Sequence, residues 1–298
     1  MENVHQLKVF LAVADTLSFT RAAERVFLTQ SAVSHQMANL ERELGCQLVE
    51  RRGRTISLTP AGRALAPNAR RVFSAIDEAT IAAQQAAKPG LGRLRIGASS
   101  AACQHIIPEA LREFRECFPS YSLSIIPGDS PALLEHLLSG TIDLALMIRS
   151  ERHRKVTFHN LFQDELKLLV SPLHPWAKAG KADRRHLAEQ QMVLYSRAST
   201  TSRMVERYFN RMQAPLRDWI ELGDLGAIKE LVKLGLGISV SAEWIARPEI
   251  EEGSLVLLPL PAGRLRRTWC IASMTGRNLS VAEQTFISLC QAVATQYK

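Results

Sequence analysis

Paired cysteines, long apolar runs and an export leader are all missing from this chain. Its five cysteines, Cys46, Cys103, Cys117, Cys270 and Cys290, are odd in number and scattered, with no CxxC pair. That spacing supports neither a disulfide framework nor a zinc site, so no metal is expected. No apolar run approaches the ~20 residues that a membrane span needs, which argues against a membrane partner. The amino terminus, Met1-Glu2-Asn3-Val4-His5, has no positive segment leading into an apolar core and a small-residue cleavage site. The expected compartment is therefore the cytoplasm, with reduced thiols. Low-complexity tracts and tandem repeats are also lacking.

What the chain does have is length and positive charge. Its 298 residues suggest two or three folded units at about 100–200 residues per domain. A formal net charge of +8 and a pI near 9.5 favour a polyanionic partner such as nucleic acid. Up to Ala61 the residues are helical in period with short turns. Gly62 to Ala87 is rich in Ala, Arg and Gln, with Pro67 its only proline. Lys88-Pro89-Gly90-Leu91-Gly92 then breaks the helix and begins a hinge. Beyond it, β-rich runs alternate with helical stretches, the pattern of βαβ units and a largely parallel sheet.

The first helix is predicted to place Val4, Leu7, Phe10, Leu11 and Ala14 on one apolar face. Ser18 is a good N-cap for a short helix from Phe19 to Val26, where Ala22 and Ala23 allow close packing. Phe27-Leu28 make a turn, Thr29 can cap the next helix, and Gly45 stops it. That third helix turns Val33, Met37, Leu40 and Leu44 inward. Its other face shows Gln30, Ser31, Ser34, His35 and Gln36 near the amino-terminal end. Short polar and amide side chains there can reach base edges in a major groove, although many such faces are simply solvated. Two short strand-like runs follow, flanking the turn Arg51-Arg52-Gly53-Arg54. Guanidinium groups suit phosphates and narrow minor grooves because they are always charged and weakly hydrated. Arg21 sits where a cation would clamp a DNA backbone.

Leu7 to Gly62 resembles the winged helix-turn-helix of the LysR-type transcriptional regulators. The matching residues are Phe10-Leu11-Ala12-Val13-Ala14, Ser18-Phe19-Thr20-Arg21-Ala22-Ala23, Thr29 through Gln36, Leu40-Glu41, Leu44-Gly45, and Arg51 with Leu58-Thr59-Pro60-Ala61-Gly62. His35-Gln36 stands where the family commonly has Arg-Gln, which leaves the base preference there open. Val49 stands where it has Phe. The resemblance implies a multi-domain protein. Residues 1–60 would form an α-rich winged helix-turn-helix, its helix-turn-helix at about 19–38, and residues 61–88 a linker and dimerisation helix. Residues 92–298 would form an α/β effector-binding domain with the two-lobed fold of type 2 periplasmic binding proteins. It places Gln30, Ser31, Ser34, His35 and Gln36 against the major groove of promoter DNA and Arg54 in the adjacent minor groove. Arg21 and Arg51 would hold phosphates, or Arg51 would help fix the wing.

Leu65, Ala69, Val72, Ile76, Ala79 and Ala83 step alternately by four and three, an a/d seam along which two copies can pair. Pairing would set two reading helices against one interrupted palindrome. The family resemblance extends this to a dimer of dimers and to RNA polymerase as a further partner.

Lobe one is expected at 92–162 plus 265–298 and lobe two at 163–264. The resemblance rests on Leu94-Arg95-Ile96-Gly97, Gly140-Thr141-Ile142-Asp143-Leu144-Ala145-Leu146 and Val232 through Val240. Each lobe begins with a strand, a hydroxyl-rich turn and a helix: Ser99 and Ser100 in one, Ser196 to Thr201 in the other. Helix amino termini with hydroxyls make anion sites, although such residues are more often plain caps. Ligands in open α/β lobes lie beyond the carboxyl ends of strands. The expected effector residues are Ser99, Ser100, Ser130, Met147, Arg197, Thr200, Thr201 and Asp224. Arg197 would either neutralise an anion or lie exposed, and Asp224 counts against an anion unless its charge is paired. A small, anionic effector is expected, with no cofactor and no catalytic residues.

Other functions are weaker on the same residues. Cys103 and His105 are close in sequence, but nothing marks an orienter or an oxyanion hole, so enzymatic hydrolysis has little support. A redox regulator of this family would carry paired cysteines in lobe two, which has none. A transported-solute receptor would need an export signal, and a non-specific DNA binder would need only phosphate contacts.

Overall fold

A computed structural model describes residues 2–52, 55–87, 91–150, 152–216 and 219–297. The chain divides into two compact units. Met1–Leu91 with Leu138–Thr141 form one, and Gly92–Leu137 with Ile142–Lys298 form the other.

The first unit runs α1 (Glu2–Thr16), α2 (Phe19–Val26), α3 (Gln30–Leu44), β1 (Val49–Arg52), β2 (Thr55–Leu58) and α4 (Pro60–Ala87). Ser18 and Thr29 cap α2 and α3, accepting from the N–H groups of Arg21 and Ala32. Gly45 ends α3 at φ 68°, a left-handed conformation that costs glycine nothing. Phe27 ends α2 at φ 57° with 94% of its surface exposed, an unusual place for a large apolar side chain. The apolar face of α1 is rotated from the expected one. Val9, Phe10 and Val13 are fully buried, whereas Val4, Leu7, Leu11 and Ala14 flank them half-buried. The core wants the stripe facing α2 and α3, and that stripe also takes in Gln6 and Ala12. In α3, Val33, Met37 and Leu40 are buried as expected, but Leu44, in the last turn, is 47% exposed.

The wing is a two-stranded antiparallel hairpin in which Val49 pairs with Leu58 and Arg52 with Thr55. Glu41 ties it to α3, accepting from the N–H groups of Leu48 (2.7 Å) and Val49 (3.2 Å). Thr59 then caps α4, accepting at Oγ1 from the Gly62 N–H at 3.0 Å. Gly62 passes so close to the wing that a Cβ there would lie 2.1 Å from the Leu48 carbonyl oxygen. Along α4, Ala66 and Ala69 belong to the head's core and Leu65 packs partly against it. Val72 and Ile76 are each 41% exposed, and Ala79 and Ala83 are exposed too.

The second unit contains β3 (Gly92–Ala98), α5 (Ser100–His105), α6 (Ile107–Cys117), β4 (Tyr121–Pro127), α7 (Ser130–Leu138) and β5 (Leu144–Ile148). Next come β6 (Val156–Val170), α8 (Pro175–Ala179), β7 (Met192–Leu194), α9 (Thr200–Arg211), β8 (Trp219–Glu221) and α10 (Leu225–Lys233). It closes with β9 (Ser239–Ala242), α11 (Arg247–Glu251), β10 (Val256–Leu258), β11 (Leu265–Met274) and α12 (Val281–Ala294). β3 pairs in parallel with β4 and β5, and β7 with β8. The sheet as a whole is mixed rather than largely parallel, because β6 and β11 run antiparallel to each other over most of their length. β5 joins β11, and β9 and β10 join β6, also antiparallel. Asp143 pins the start of β5 to β3, accepting from the Arg95 backbone N–H (2.8 Å) and guanidinium Nη2 (2.7 Å). A single large core gathers the fully buried Phe114, Phe209, Trp269 and Phe286. Among the described residues no helix is long and apolar enough to cross a membrane.

Candidate functional site

At the head, Gln30, Ser31 and His35 are exposed, and Ser34 and Gln36 are half-buried. All five sit on the first two turns of α3. His35 is held along the helix: its Nδ1 lies 3.3 Å from the Asn39 amide nitrogen, whose Oδ1 accepts from Arg42 at 3.1 Å. Asn39 and Arg42 extend the polar face by a further turn and were not expected. Their i, i+4 and i, i+3 spacing was the available signal. Arg21 is exposed at the start of α2, and its Nη2 donates to the Thr16 carbonyl at 2.6 Å. It therefore caps the end of α1 whatever else it does. Arg54 and the side chain of Arg51 lie outside the described residues.

The second unit holds a cleft that encloses about 820 Å3, part of it open to solvent. Several helices begin at its wall. Ser99 and Ser100 come from α5, Asp129 and Ser130 from the α7 turn, and Ser199, Thr200 and Thr201 from α9. Several hydroxyls are already engaged. Ser99 Oγ accepts from the Ala102 N–H, Ser199 Oγ from the Ser202 N–H, and Ser130 Oγ from the Ile148 N–H. The hydroxyls of Ser100 and Thr200 are committed to no partner among the described residues, and both line the cleft.

Three expected residues stand elsewhere. Met147 is fully buried, because alternation along β5 turns its neighbour Ile148 to the cleft instead. Arg197 stacks over the Trp219 ring, 3.7 Å from its centroid, and pairs with Glu221 at 3.5 Å. Asp224 is the N-cap of α10, accepting from the Ala227 N–H at 2.7 Å, and the following Leu225 takes the place in the wall.

The sequence reading missed the cleft's cations. Arg267, on β11, is 5% exposed yet lines the cleft. Its Nε donates to Asp164 Oδ1 at 2.9 Å, its Nη2 to Asp164 Oδ2, and its Nη1 to Thr201 Oγ1 at 2.8 Å. Asp164 also accepts from the indole N–H groups of Trp244 and Trp269, both at 2.9 Å. Lys229, on α10, also lines the cleft and pairs with Glu249 at 2.6 Å. Both positive charges at the wall thus have a carboxylate behind them. Burial pushes the Asp129 carboxyl pKa up, opposed by the positive charge of Arg203. Burial also raises the Tyr195 phenol, helped by the negative charges of Asp129 and Asp224.

The cysteines do not form a reactive pair. Cys103 directs its thiol to the Ala98 carbonyl at 3.6 Å, whereas the His105 ring packs edge-on against Trp244 at 5.3 Å. Burial raises the Cys103 thiol, lifts Cys270 to about 12 and raises Cys290 further. A thiolate is the nucleophile in cysteine chemistry, so these environments oppose it.

An exposed helix tip braced by a wing, followed by a two-lobed domain with a hydroxyl-lined cleft, defines a DNA-binding regulator with a built-in sensor. Comparison with known proteins narrows the class. The family model for the bacterial regulatory helix-turn-helix protein, lysR family, matches residues 4–63, and the LysR substrate binding domain matches 87–295. The chain is 32% identical over 286 residues to the HTH-type transcriptional activator CmpR of Synechocystis sp., covering 95% of this chain and 93% of that one. It is 31% identical to the RuBisCO operon transcriptional regulator of Allochromatium vinosum, covering 95% and 94%. The full-length CbnR structure in complex with its target DNA shares the fold with a TM-score of 0.65 at 24% identity, covering 97% of this chain and 99% of that one. The chain belongs to the LysR family: it is a DNA-binding transcriptional regulator with an effector-binding domain. The relatives named here are regulators of transcription, not enzymes.

Proposed function

We propose that this regulator, acting in the cytoplasm, reads promoter DNA with the amino-terminal turns of α3 and senses a small anion in the cleft. The reading surface is Gln30, Ser31, Ser34, His35 and Gln36, with Arg54 in the neighbouring minor groove and Arg21 and Arg51 on phosphates. The observation that carries it is the exposure of this polar helix tip beside the wing. His35→Ala is expected to lose about 1–3 kcal/mol of discrimination between bases at its contact position. Arg54→Ala is expected to weaken binding to A·T-rich sites in particular. Gel-shift titrations on a set of operator variants check both, and unchanged curves for both substitutions would refute this reading surface.

Pairing follows the exposed length of α4. The seam that serves it starts at Val72, since Leu65 and Ala69 are taken up by the head's own core. Val72, Ile76, Ala79 and Ala83 would meet their counterparts in a second copy and space two heads for a palindrome. Dimers of dimers and contact with RNA polymerase complete the reading.

For the effector, the amino termini of α7 and α9 aim unpaired N–H groups and positive dipole ends at the cleft. The free hydroxyls of Ser100 and Thr200 complete the cradle. Arg267 has N–H groups left over after Asp164 and Thr201 are served, because a guanidinium carries five. A small carboxylate or inorganic oxyanion fits that donor set, with Thr201 and Ser130 holding the wall in place. Calorimetry of the full chain against carboxylates and sulfur and phosphorus oxyanions is expected to find an anion whose affinity falls at least tenfold in Thr200→Val. Tight binding only by neutral or cationic compounds would overturn the anionic assignment.

A further inference from the structure

We propose a second anion site, distinct from the cleft, on the turn that joins β5 to β6; its ligand class is a small phosphate-bearing molecule. An open hollow of about 920 Å3 lies there, lined by Arg149, Arg152, His153, Arg154, Val156 and Phe158.

The described residues of the turn are held by hydrogen bonds. The Val156 N–H donates to the His153 carbonyl at 3.1 Å, and the Lys155 N–H to His153 Nδ1 at 3.3 Å. The Thr275 N–H donates to the Lys155 carbonyl at 2.9 Å, tying the turn to the end of β11. Arg149 is anchored at its backbone by the Thr268 carbonyl, 2.7 Å away. Its Nη1 donates to the Asn160 amide oxygen at 3.0 Å, and its guanidinium lies 5.6 Å from the Phe158 ring centroid. An amide and an aromatic face hold that cation in place without cancelling its charge.

The charge balance at this hollow differs from that at several other arginines of the second unit. Arg95 is paired with Asp143, Arg185 with Asp183, Arg197 with Glu221, and Arg264 and Arg266 with Glu165. Among the described residues no carboxylate pairs with Arg149, Arg152, Arg154 or Lys155; Glu151, within the turn, lies outside them. Three guanidinium groups around one hollow repel each other, and a bound anion relieves that repulsion in proportion to its charge. Planar guanidinium forks match phosphate oxygens two at a time. A phosphate dianion or a diphosphate therefore gains more here than a monocarboxylate. Val156 is buried in the floor and Phe158 half-buried beside it, giving an apolar wall for the organic part of such a ligand.

The test titrates inorganic pyrophosphate into the full chain by calorimetry at fixed ionic strength, with the Arg152→Ala/Arg154→Ala double variant alongside. Arg152 and Arg154 are exposed, so the fold is expected to survive, which a melting curve verifies. As a control, Arg207→Ala/Arg211→Ala removes the same charge from exposed positions on α9. The expected result is a saturable site weakened at least tenfold by the first pair and less than twofold by the second. Equal weakening by both pairs, undiminished binding in the first, or no saturable binding to the unmodified chain would each overturn the proposal.

Discussion

Asp164→Ala is expected to destabilise the second unit by about 3–5 kcal/mol, the usual cost of stripping one partner from a buried ion pair. Asp164 and Arg267 are 7% and 5% exposed, so water cannot replace the lost carboxylate. The substitution leaves a guanidinium charge in the interior and takes the acceptor from the indole N–H groups of Trp244 and Trp269. A buried donor left without an acceptor costs about 1–3 kcal/mol by itself, although such terms do not simply add. Asp164→Asn keeps an oxygen acceptor and is expected to lose less. The double variant Asp164→Ala/Arg267→Met removes both charges and is expected to recover much of the loss, because paired apolar replacements are often close to neutral. Urea unfolding followed by tryptophan fluorescence reads this directly. A loss under about 1 kcal/mol for Asp164→Ala would mean that the pair is solvated, and the cleft's electrostatics would need rebuilding.

Gly62→Ala provides a second large effect, and here two physical arguments predict opposite signs. Helix propensity alone would have alanine stabilise α4 by about 1 kcal/mol. Sterics predict a loss of about 1–3 kcal/mol or more, as for other overpacked sites, because the new Cβ would lie 2.1 Å from the Leu48 carbonyl oxygen and 3.3 Å from Leu58 Cδ2. Leu48 has little freedom to retreat: its carbonyl accepts from the Thr59 N–H at 3.0 Å, and its own N–H is held by Glu41. The expected outcome is a lower melting temperature together with weaker operator binding, since the clash sits where the wing meets α4. A variant as stable as the parent would show that the wing shifts without cost.

The contrast between these two sites bears on what could be read from the chain alone. Ser18, Thr29 and Gly45 announce their helix ends because capping is decided within four residues. Gly62 was visible as part of a motif, but its reason, a carbonyl oxygen of Leu48, is a tertiary contact. The rotated face of α1 has a similar origin: Val9 and Val13 are as apolar as Leu7 and Leu11, and only the neighbouring helices choose between them. In the cleft, Ser100 and Thr200 were legible from a repeated strand, turn and helix. Arg267 was not, because its partner Asp164 lies 103 positions away. Strand alternation did carry a signal, since Leu265, Arg267 and Trp269 share one face of β11 and all three are buried. Arg197, which takes the exposed one of its two expected places, and Asp224 both lie off the cleft wall, because a local turn position says little about which way a side chain leaves it.

The ribbon made by β6 and β11 limits how ligand binding can be felt. Ten consecutive residues of β11, Leu265 to Met274, are paired with β6, broken only by a register shift between Trp269 and Cys270. Strands on either side hang from this ladder, β5 with β3 and β4 on β11, and β9 and β10 on β6. Twisting the ribbon leaves its backbone hydrogen bonds intact, and the register shift at Trp269 interrupts the ladder there. A ligand held against Arg267 and Trp269 would press on this ribbon beside that break, and the expected consequence is a twist passed along both strands.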